Sequence, residues 1–270
     1  MTTPFRFGLV ALPYPGADWS GTARQVEELG FDSLLVPDNL HATPAALACA
    51  SAAGVTERIA VGPYVVATPL RNPGLVAADA AGLHQLSGGR VEFGLGAGRP
   101  DAEDEARQLG VEFGTPGERM AHLEATIDAV RVRTPDVHIT VAAAGPRMLA
   151  LGGRLADVVA LGASPFATAD DLARMADTVR AGAGDRADDV QLNVNLSAVG
   201  DEVPPWLAEK MGLTMERLVE ARTATYLRGT PDDMAETLVE RREPTGISYV
   251  CAGANHAQDL APVVALLRGA

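Results

Sequence analysis

The strongest constraint on the fold is a strict alternation of short apolar runs with segments of helical periodicity. Each run is rich in Val, Ile and Leu, and each is followed by a stretch in which apolar residues recur every three or four positions. This pattern predicts an α/β fold in which a parallel sheet is covered by helices. The apolar runs begin at Phe5, Ser33, Ile59, Arg90, Val137, Asp157, Val190 and Gly246.

Eight such units in 270 residues favour a sheet that closes into a TIM-type (β/α)8 barrel, because these barrels run to about 250 residues as one domain. We therefore predict a single barrel domain over residues 1–270. An open doubly wound sheet is the alternative architecture. The segment between strands 4 and 5 is shortened, since the chain passes from a helix ending near Val132 to the strand at Val137 with almost nothing in between.

Composition and charge argue against several classes of partner. The formal net charge is -13, and an acidic surface repels both nucleic-acid phosphates and anionic membrane faces. No apolar run reaches the roughly 18 residues needed to span a bilayer, and the first residues lack a secretory signal pattern. Cys49 and Cys251 fit buried thiols in a reducing compartment better than a disulfide scaffold. We expect a cytoplasmic protein with a small-molecule substrate, no nucleic-acid partner and no membrane partner.

The motifs of several common catalytic sites are missing. The sequence contains no HExxH, GxSxG, CxxC or GxxxxGK[ST] motif, so we expect no metal centre and no serine esterase or P-loop chemistry. The run GLGAG at Gly94–Gly98 lacks the third glycine of a dinucleotide fingerprint. Its small residues fit the close approach of either a planar ligand or a neighbouring strand.

The carboxyl ends of the predicted strands carry the candidate functional residues, as is usual in such barrels. Gly145 and Pro146 open a helix whose free amides would attract an anion, and Arg147 adds a positive charge. The alternative is an ordinary helix start with Arg147 in solvent. Asp38 either accepts a hydrogen bond from a heterocycle or caps the following helix. His41 lies in the same loop, with a surface role as its alternative.

Taken in order, these motifs resemble the luciferase-like monooxygenase family. The resemblance is carried by FDSLLVPDNL and by IAVGPYVVATPLRNPGLVAADAAGLHQLSGGRVEFGLGAG. The later segments AAAGPRMLALGGRLADVVALG and LRGTPDDMAETLVERREPTGISYV resemble the deazaflavin-dependent branch. The resemblance implies a barrel that binds coenzyme F420, or alternatively FMN, and exchanges hydride with a small organic substrate. An FMN-dependent monooxygenase and a scaffold barrel with little or no turnover are the alternative functions.

The resemblance also implies which residues contact the cofactor. The ring would lie across the strand ends, in front of a non-proline cis peptide bond between the third-strand residues Tyr64 and Val65. The phosphate would lie on the helix start after the fifth strand. The implied contacts are Asp38, Tyr64, Val65, Gly96, Ala97, Gly98, Ala144, Gly145, Pro146 and Arg147.

Two further expectations concern catalysis and assembly. Many members of the family carry Asp-His where this chain has Asp38 and Asn39, and an asparagine cannot carry a proton. We therefore expect Asn39 to orient the substrate and His41 to act as the acid or base. The alanine- and leucine-rich helices at 45–53 and 75–86 predict a homodimer, which the resemblance also implies.

Overall fold

The computed structural model describes residues 3–201 and 203–269, and its main element is a parallel sheet that curls into a barrel. Nine strands form this sheet in the order β3-β2-β1-β11-β8-β7-β6-β5-β4, while β9 and β10 form a small separate sheet. The strands are β1 Arg6–Val10, β2 Ser33–Val36, β3 Ala60–Pro63, β4 Val66–Ala67, β5 Glu92–Gly96, β6 His138–Ala143, β7 Val158–Leu161, β8 Gln191–Asn195, β9 Ala198–Val199, β10 Tyr226–Leu227 and β11 Ile247–Gly253.

The barrel closes through its third strand, which is interrupted in the middle. β3 pairs with β2, β4 pairs with β5, and the peptide bond Tyr64–Val65 between the two segments is cis. The Val61 amide donates to the Arg90 carbonyl oxygen at 3.0 Å, so β3 also meets the start of the next strand. β3 and β4 are therefore two halves of one barrel strand. The predicted (β/α)8 barrel is confirmed, and the cis bond lies where the family resemblance implies it.

Helices cover the outside of the barrel, and several of them begin at polar capping residues that can be recognised in the sequence. The side chains of Asn72 and Thr168 accept backbone N–H groups at the starts of α3 and α7. In α1 the apolar residues Ala23 and Val26 face the core and are buried. The helices are α1 Trp19–Glu28, α2 Ala45–Ala53, α3 Pro73–Ser87, α4 Glu103–Leu109, α5 Pro116–Arg133, α6 Pro146–Leu155, α7 Ala169–Ala183, α8 Pro205–Met211, α9 Met215–Glu220, α10 Pro231–Thr245 and α11 Ala257–Leu267.

Two local expectations from the sequence are wrong. The pair Thr43-Pro44 predicts a threonine cap with proline at the first helical position, whereas α2 begins at Ala45 with Pro44 itself as the cap residue. Helical periodicity from 205 to 242 predicts one long helical region, whereas the chain forms α8, α9, β10 and α10. Gly212, at a φ of 58°, ends α8 in a left-handed conformation, and the threonine cap at Thr230 starts α10 afresh.

The bore of the barrel holds a buried polar network beside a small apolar cluster that includes Leu35 and Val158. The Arg6 guanidinium contacts Glu92 at 2.7 Å, and the Tyr249 hydroxyl lies 3.3 Å from Glu92 and 2.5 Å from the Ser33 hydroxyl. Glu92, Tyr249 and Ser33 are all buried. A Cβ at Gly8 would lie 2.4 Å from the Ser33 oxygen, so only glycine fits beside this network. Many barrels of this type fill the same space with bulky branched residues.

The connection between α5 and β6 consists only of residues 134–137. This confirms the prediction that almost nothing separates this helix from the fifth barrel strand, which is β6. Because these residues lead into the amino end of β6, they lie on the side of the barrel opposite the carboxyl strand ends. Over the described ranges, no helix has the length and apolarity that crossing a membrane requires.

Candidate functional site

The predicted site residues lie at the carboxyl ends of four neighbouring barrel strands. The loop 38–41 follows β2, the Tyr64–Val65 bond interrupts the third strand, the turn 96–98 ends β5, and the segment 144–147 follows β6. Because the strands are parallel and adjacent in the sheet, all four groups occupy one half of the same rim. In the described part of the chain, no group of three or more His, Cys, Asp or Glu side chains is arranged to hold a metal ion.

A bidentate ion pair with Arg71 holds the Asp38 carboxylate at the rim. The Arg71 guanidinium donates to both carboxylate oxygens, at distances of 2.7 to 3.0 Å. The Asp38 side chain is only 7% exposed, so water screens this pair weakly. The ring Nε2 of His122 lies 3.0 Å from the Arg71 carbonyl oxygen and supports the same loop. The carboxylate does not cap α2, whose start has no side-chain cap, so the capping alternative for Asp38 is wrong.

Asn39 and His41 form a local turn beside this ion pair. The His41 backbone N–H donates to the Asn39 side-chain oxygen at 3.0 Å, the usual way in which asparagine stabilises a turn. The His41 side chain is exposed, whereas Asn39 is half-buried. Asn39 therefore fixes the backbone of the loop that presents the imidazole of His41.

The Tyr64 side chain points down into the barrel and crosses it. Its hydroxyl donates to the Asn193 side-chain oxygen at 2.6 Å, on the strand directly opposite in the sheet order. The Asn193 amide nitrogen in turn donates to the Cys251 sulfur at 3.1 Å. Burial raises the pKa of the Tyr64 phenol well above its ordinary value and that of the Cys251 thiol to about 12, so both stay protonated. We call this hydrogen-bonded pair the Tyr64–Asn193 crossbar, and it closes the bore below the rim.

The glycines of β5 are required by the strand next to them. A Cβ at Gly94 would lie 2.8 Å from a Val65 methyl carbon, and one at Gly96 would lie 2.9 Å from the other. Both distances are shorter than a real contact allows, so these positions accept no side chain without a shift. The sequence left two explanations open for these glycines, a planar ligand or a neighbouring strand. The close approach of the neighbouring strand explains Gly94 and Gly96.

The turn after β5 is covered from the outside by the loop before α5. Gly98 has a φ of 77°, and a Cβ there would lie 3.0 Å from the Phe113 ring. The Arg119 guanidinium stacks on Phe113 at 4.3 Å and donates to the Ala97 carbonyl oxygen at 3.1 Å. These contacts fix the position of the backbone at 97–98 and direct its other side towards the rim.

The segment 144–147 presents an open helix start. Gly145 is the cap residue of α6 with φ -82° and ψ 157°, and no side chain caps the helix. Ala144, Gly145, Pro146 and Arg147 are all exposed, and a Cβ at Gly145 would meet nothing within 4 Å. Amides in the first turn of a helix have no acceptor inside the helix, so they are available to an anion.

Comparison with known proteins relates the sequence to one family. Residues 15–131 match the model of a family described as luciferase-like monooxygenase. An F420-dependent glucose-6-phosphate dehydrogenase of Beutenbergia cavernae is 34% identical over 164 residues, which cover 48% of this chain and 48% of that protein. The chain spans about half the length of the curated relatives it matches.

Solved structures with the same fold cover nearly the whole chain. An F420-dependent secondary alcohol dehydrogenase in complex with an F420-acetone adduct has a TM-score of 0.78 at 20% identity, over 98% of this chain and 100% of that chain. The oxygenating constituent of 3,6-diketocamphane monooxygenase of Pseudomonas putida, in complex with FMN, has a TM-score of 0.73 at 18% identity, over 96% of this chain and 94% of that chain. At these identities the likeness is one of fold.

Proposed function

We propose that this chain is a member of the luciferase-like monooxygenase family and an oxidoreductase that uses coenzyme F420 to transfer hydride to or from a small organic substrate. The observation that carries the proposal is the open helix start at 144–147, beside the mouth of the barrel. The relative from Beutenbergia cavernae and the solved alcohol dehydrogenase, both named as F420-dependent, support this choice of cofactor.

The rim residues fit a cofactor that combines a phosphate with a planar ring. The amides of Gly145 and Arg147 and the Arg147 guanidinium suit the phosphate, because a helix start attracts negative charge. Gly96, Ala97 and Ala144 carry no bulky side chain that would stand in the way of a ring. When bound, the cofactor supplies the carbon that takes up or releases the hydride, while the protein supplies position and electrostatics.

The loop after β2 contributes the remaining polar groups. Asp38, fixed by Arg71, is a hydrogen-bond acceptor of constant position at the rim. Reduction of a carbonyl adds hydride to carbon and a proton to oxygen, and the reverse reaction removes both. We assign the proton to the exposed imidazole of His41. Asn39 holds the loop through its side-chain oxygen and orients the substrate, as the sequence predicted.

A homodimer through α2 and α3 is part of the proposal. These two helices pack side by side and expose three large apolar side chains, with Leu47 at 64% and both Leu75 and Leu86 at 68% exposure. Large apolar residues exposed on two adjacent helices favour a self-complementary contact between two copies of the chain. We also propose a cytoplasmic location, since Cys49 and Cys251 are buried free thiols that suit a reducing compartment.

Titration of the purified protein with F420 and with FMN, followed by fluorescence and absorbance, tests the proposed cofactor. We expect tight binding of F420 and weak binding of FMN. Preferential binding of FMN would instead indicate an FMN-dependent monooxygenase. Binding of neither would contradict the proposal and leave a scaffold barrel. A panel of simple alcohols added to the F420 complex then tests hydride transfer through loss of the oxidised-cofactor absorbance.

A further inference from the structure

The inner face of β8 carries three carboxamide side chains in succession. Gln191 contacts Arg6 at 3.1 Å and Ser248 at 2.9 Å. Asn193, two residues further along, accepts from Tyr64 and is fully buried. Asn195 follows on the same inward face, because successive side chains of a strand alternate between its two sides. The first two amides are paired inside the bore, whereas Asn195 is exposed at the mouth and its side chain makes no hydrogen bond within the described residues.

Asn195 lies level with a shelf of very small residues. Ala142, Ala160 and Asn193 are aligned in the pairing of β6, β7 and β8, so the residues two positions later form the next layer. That layer consists of Ala144, Gly162 and Asn195, all of which are exposed.

The backbones of this layer lie side by side. The Gly162 amide donates to the Ala143 carbonyl oxygen at 2.7 Å, and a Cβ at Gly162 would lie 3.1 Å from the Cβ of Ala144. We call Ala144, Gly162 and Asn195 the strand-end shelf. It offers a flat apolar surface with a single polar side chain, which is the carboxamide of Asn195.

The crossbar determines how deep a ligand can lie over this shelf. Because the Tyr64 phenol and the Asn193 amide are bonded at 2.6 Å across the bore, a ligand cannot descend to the level of Asn193 without breaking that bond. A ligand therefore rests one layer higher, at the level of Asn195. The helix start at Gly145 adjoins Ala144 at the other end of the shelf.

We propose that Asn195 is a cofactor-binding residue that hydrogen-bonds the amide edge of the bound ring, an inference that rests on the proposed function. A carboxamide has both a donor and an acceptor, as does the N–H and C=O edge of a flavin or deazaflavin pyrimidine. A neutral side chain also suits a neutral ring edge, because its burial under the ring does not require the dehydration of a charged group. Ala144 and Gly162 would support the ring when the cofactor is bound, and the helix start at Gly145 would hold its phosphate.

Titration of F420 into the wild type and two variants tests this assignment. Asn195→Ala removes both hydrogen-bonding groups, and Asn195→Asp keeps the size while it replaces the donor by an acceptor. We expect each variant to raise the Kd about tenfold, the usual effect of one lost hydrogen bond. Both should also shift the visible absorbance maximum of bound F420, since a contact to the ring perturbs its spectrum. Gln258→Ala, which changes an exposed carboxamide on α11, should leave the Kd and the spectrum unchanged.

The outcomes separate this inference from the proposed function. If the wild type binds F420 and both Asn195 variants keep its Kd and its bound spectrum, the assignment of Asn195 is wrong and the proposed function stands. If the wild type binds neither F420 nor FMN, the proposed function itself fails and the assignment falls with it. Circular dichroism of each variant controls for folding.

Discussion

Replacement of Gly145 by proline removes one amide donor from the helix start and changes little else. The φ of -82° at Gly145 is close to the value of about -65° that proline imposes. The position is exposed, and an added Cβ meets no atom within 4 Å. No hydrogen bond from the Gly145 amide is found within the described residues, so folding should not depend on it. Any effect of Gly145→Pro should therefore appear in ligand binding.

The size of that effect follows from the charge of the phosphate. A hydrogen bond to a charged group contributes about 1.5–3 kcal/mol, which corresponds to about a ten- to hundredfold increase in Kd when it is lost. Gly145→Ala is the matched control, because it adds a Cβ in open space and keeps the amide. We expect Gly145→Pro to weaken F420 binding by this factor, whereas Gly145→Ala should bind as the wild type does, as measured by fluorescence titration.

A folded Gly145→Pro protein whose Kd stays within about twofold of the wild type, a difference of less than about 0.5 kcal/mol, would contradict the proposed phosphate site. In that case the segment 144–147 is an ordinary helix start, and the phosphate must bind elsewhere on the rim. Thermal unfolding of both variants shows whether the fold is preserved.

Three further predictions concern other parts of the chain. With any substrate that the wild type converts, His41→Ala should lower turnover about a hundredfold or more while Asn39→His still binds the cofactor; near-normal turnover would make His41 a surface residue. Burial raises the pKa of Glu27, but hydrogen bonds from three backbone amides lower it more, so the pKa lies below its ordinary value of 4.5. Glu27→Gln should thus reduce the free energy of unfolding by about 1–3 kcal/mol at neutral pH, and the difference should shrink as acid protonates the wild-type carboxylate, which urea titrations at several pH values would reveal. Leu47→Asp combined with Leu75→Asp should give a monomer by light scattering where the wild type is a dimer, and a monomeric wild type would contradict the proposed interface.

The barrel itself could be predicted from the sequence because each strand is apolar on the face that meets the helices. Phe7 and Leu9 on β1 are buried in this way, and the same repetition recurs along the chain. The location of the candidate site could also be predicted, since the carboxyl ends of all strands in a parallel barrel lie on the same side. The helix caps at Asn72 and Thr168 were equally local, and they required no knowledge of distant contacts.

The contacts between distant segments could not be predicted in the same way. Asp38 and Arg71 lie 33 positions apart, and only the pairing of adjacent strand ends brings them together. The direction of the Tyr64 side chain depends on the backbone at the interrupted strand, and its acceptor Asn193 is 129 positions away. In both cases a polar residue has several conceivable partners, and only the closed barrel selects one of them.

Because side chains fill the bore of the barrel, only part of this protein can acquire a new ligand specificity. Beneath the crossbar, a larger side chain at Gly8 would collide with the hydroxyl of Ser33, and the buried carboxylate of Glu92 already holds Arg6. Substitutions there would be selected for stability and would scarcely alter the ligand. The residues that can change without disturbing the core lie above the rim, in the loops that follow the strands. Exchange of those loops, with the strands left intact, is therefore the route by which evolution or engineering would change what this barrel binds.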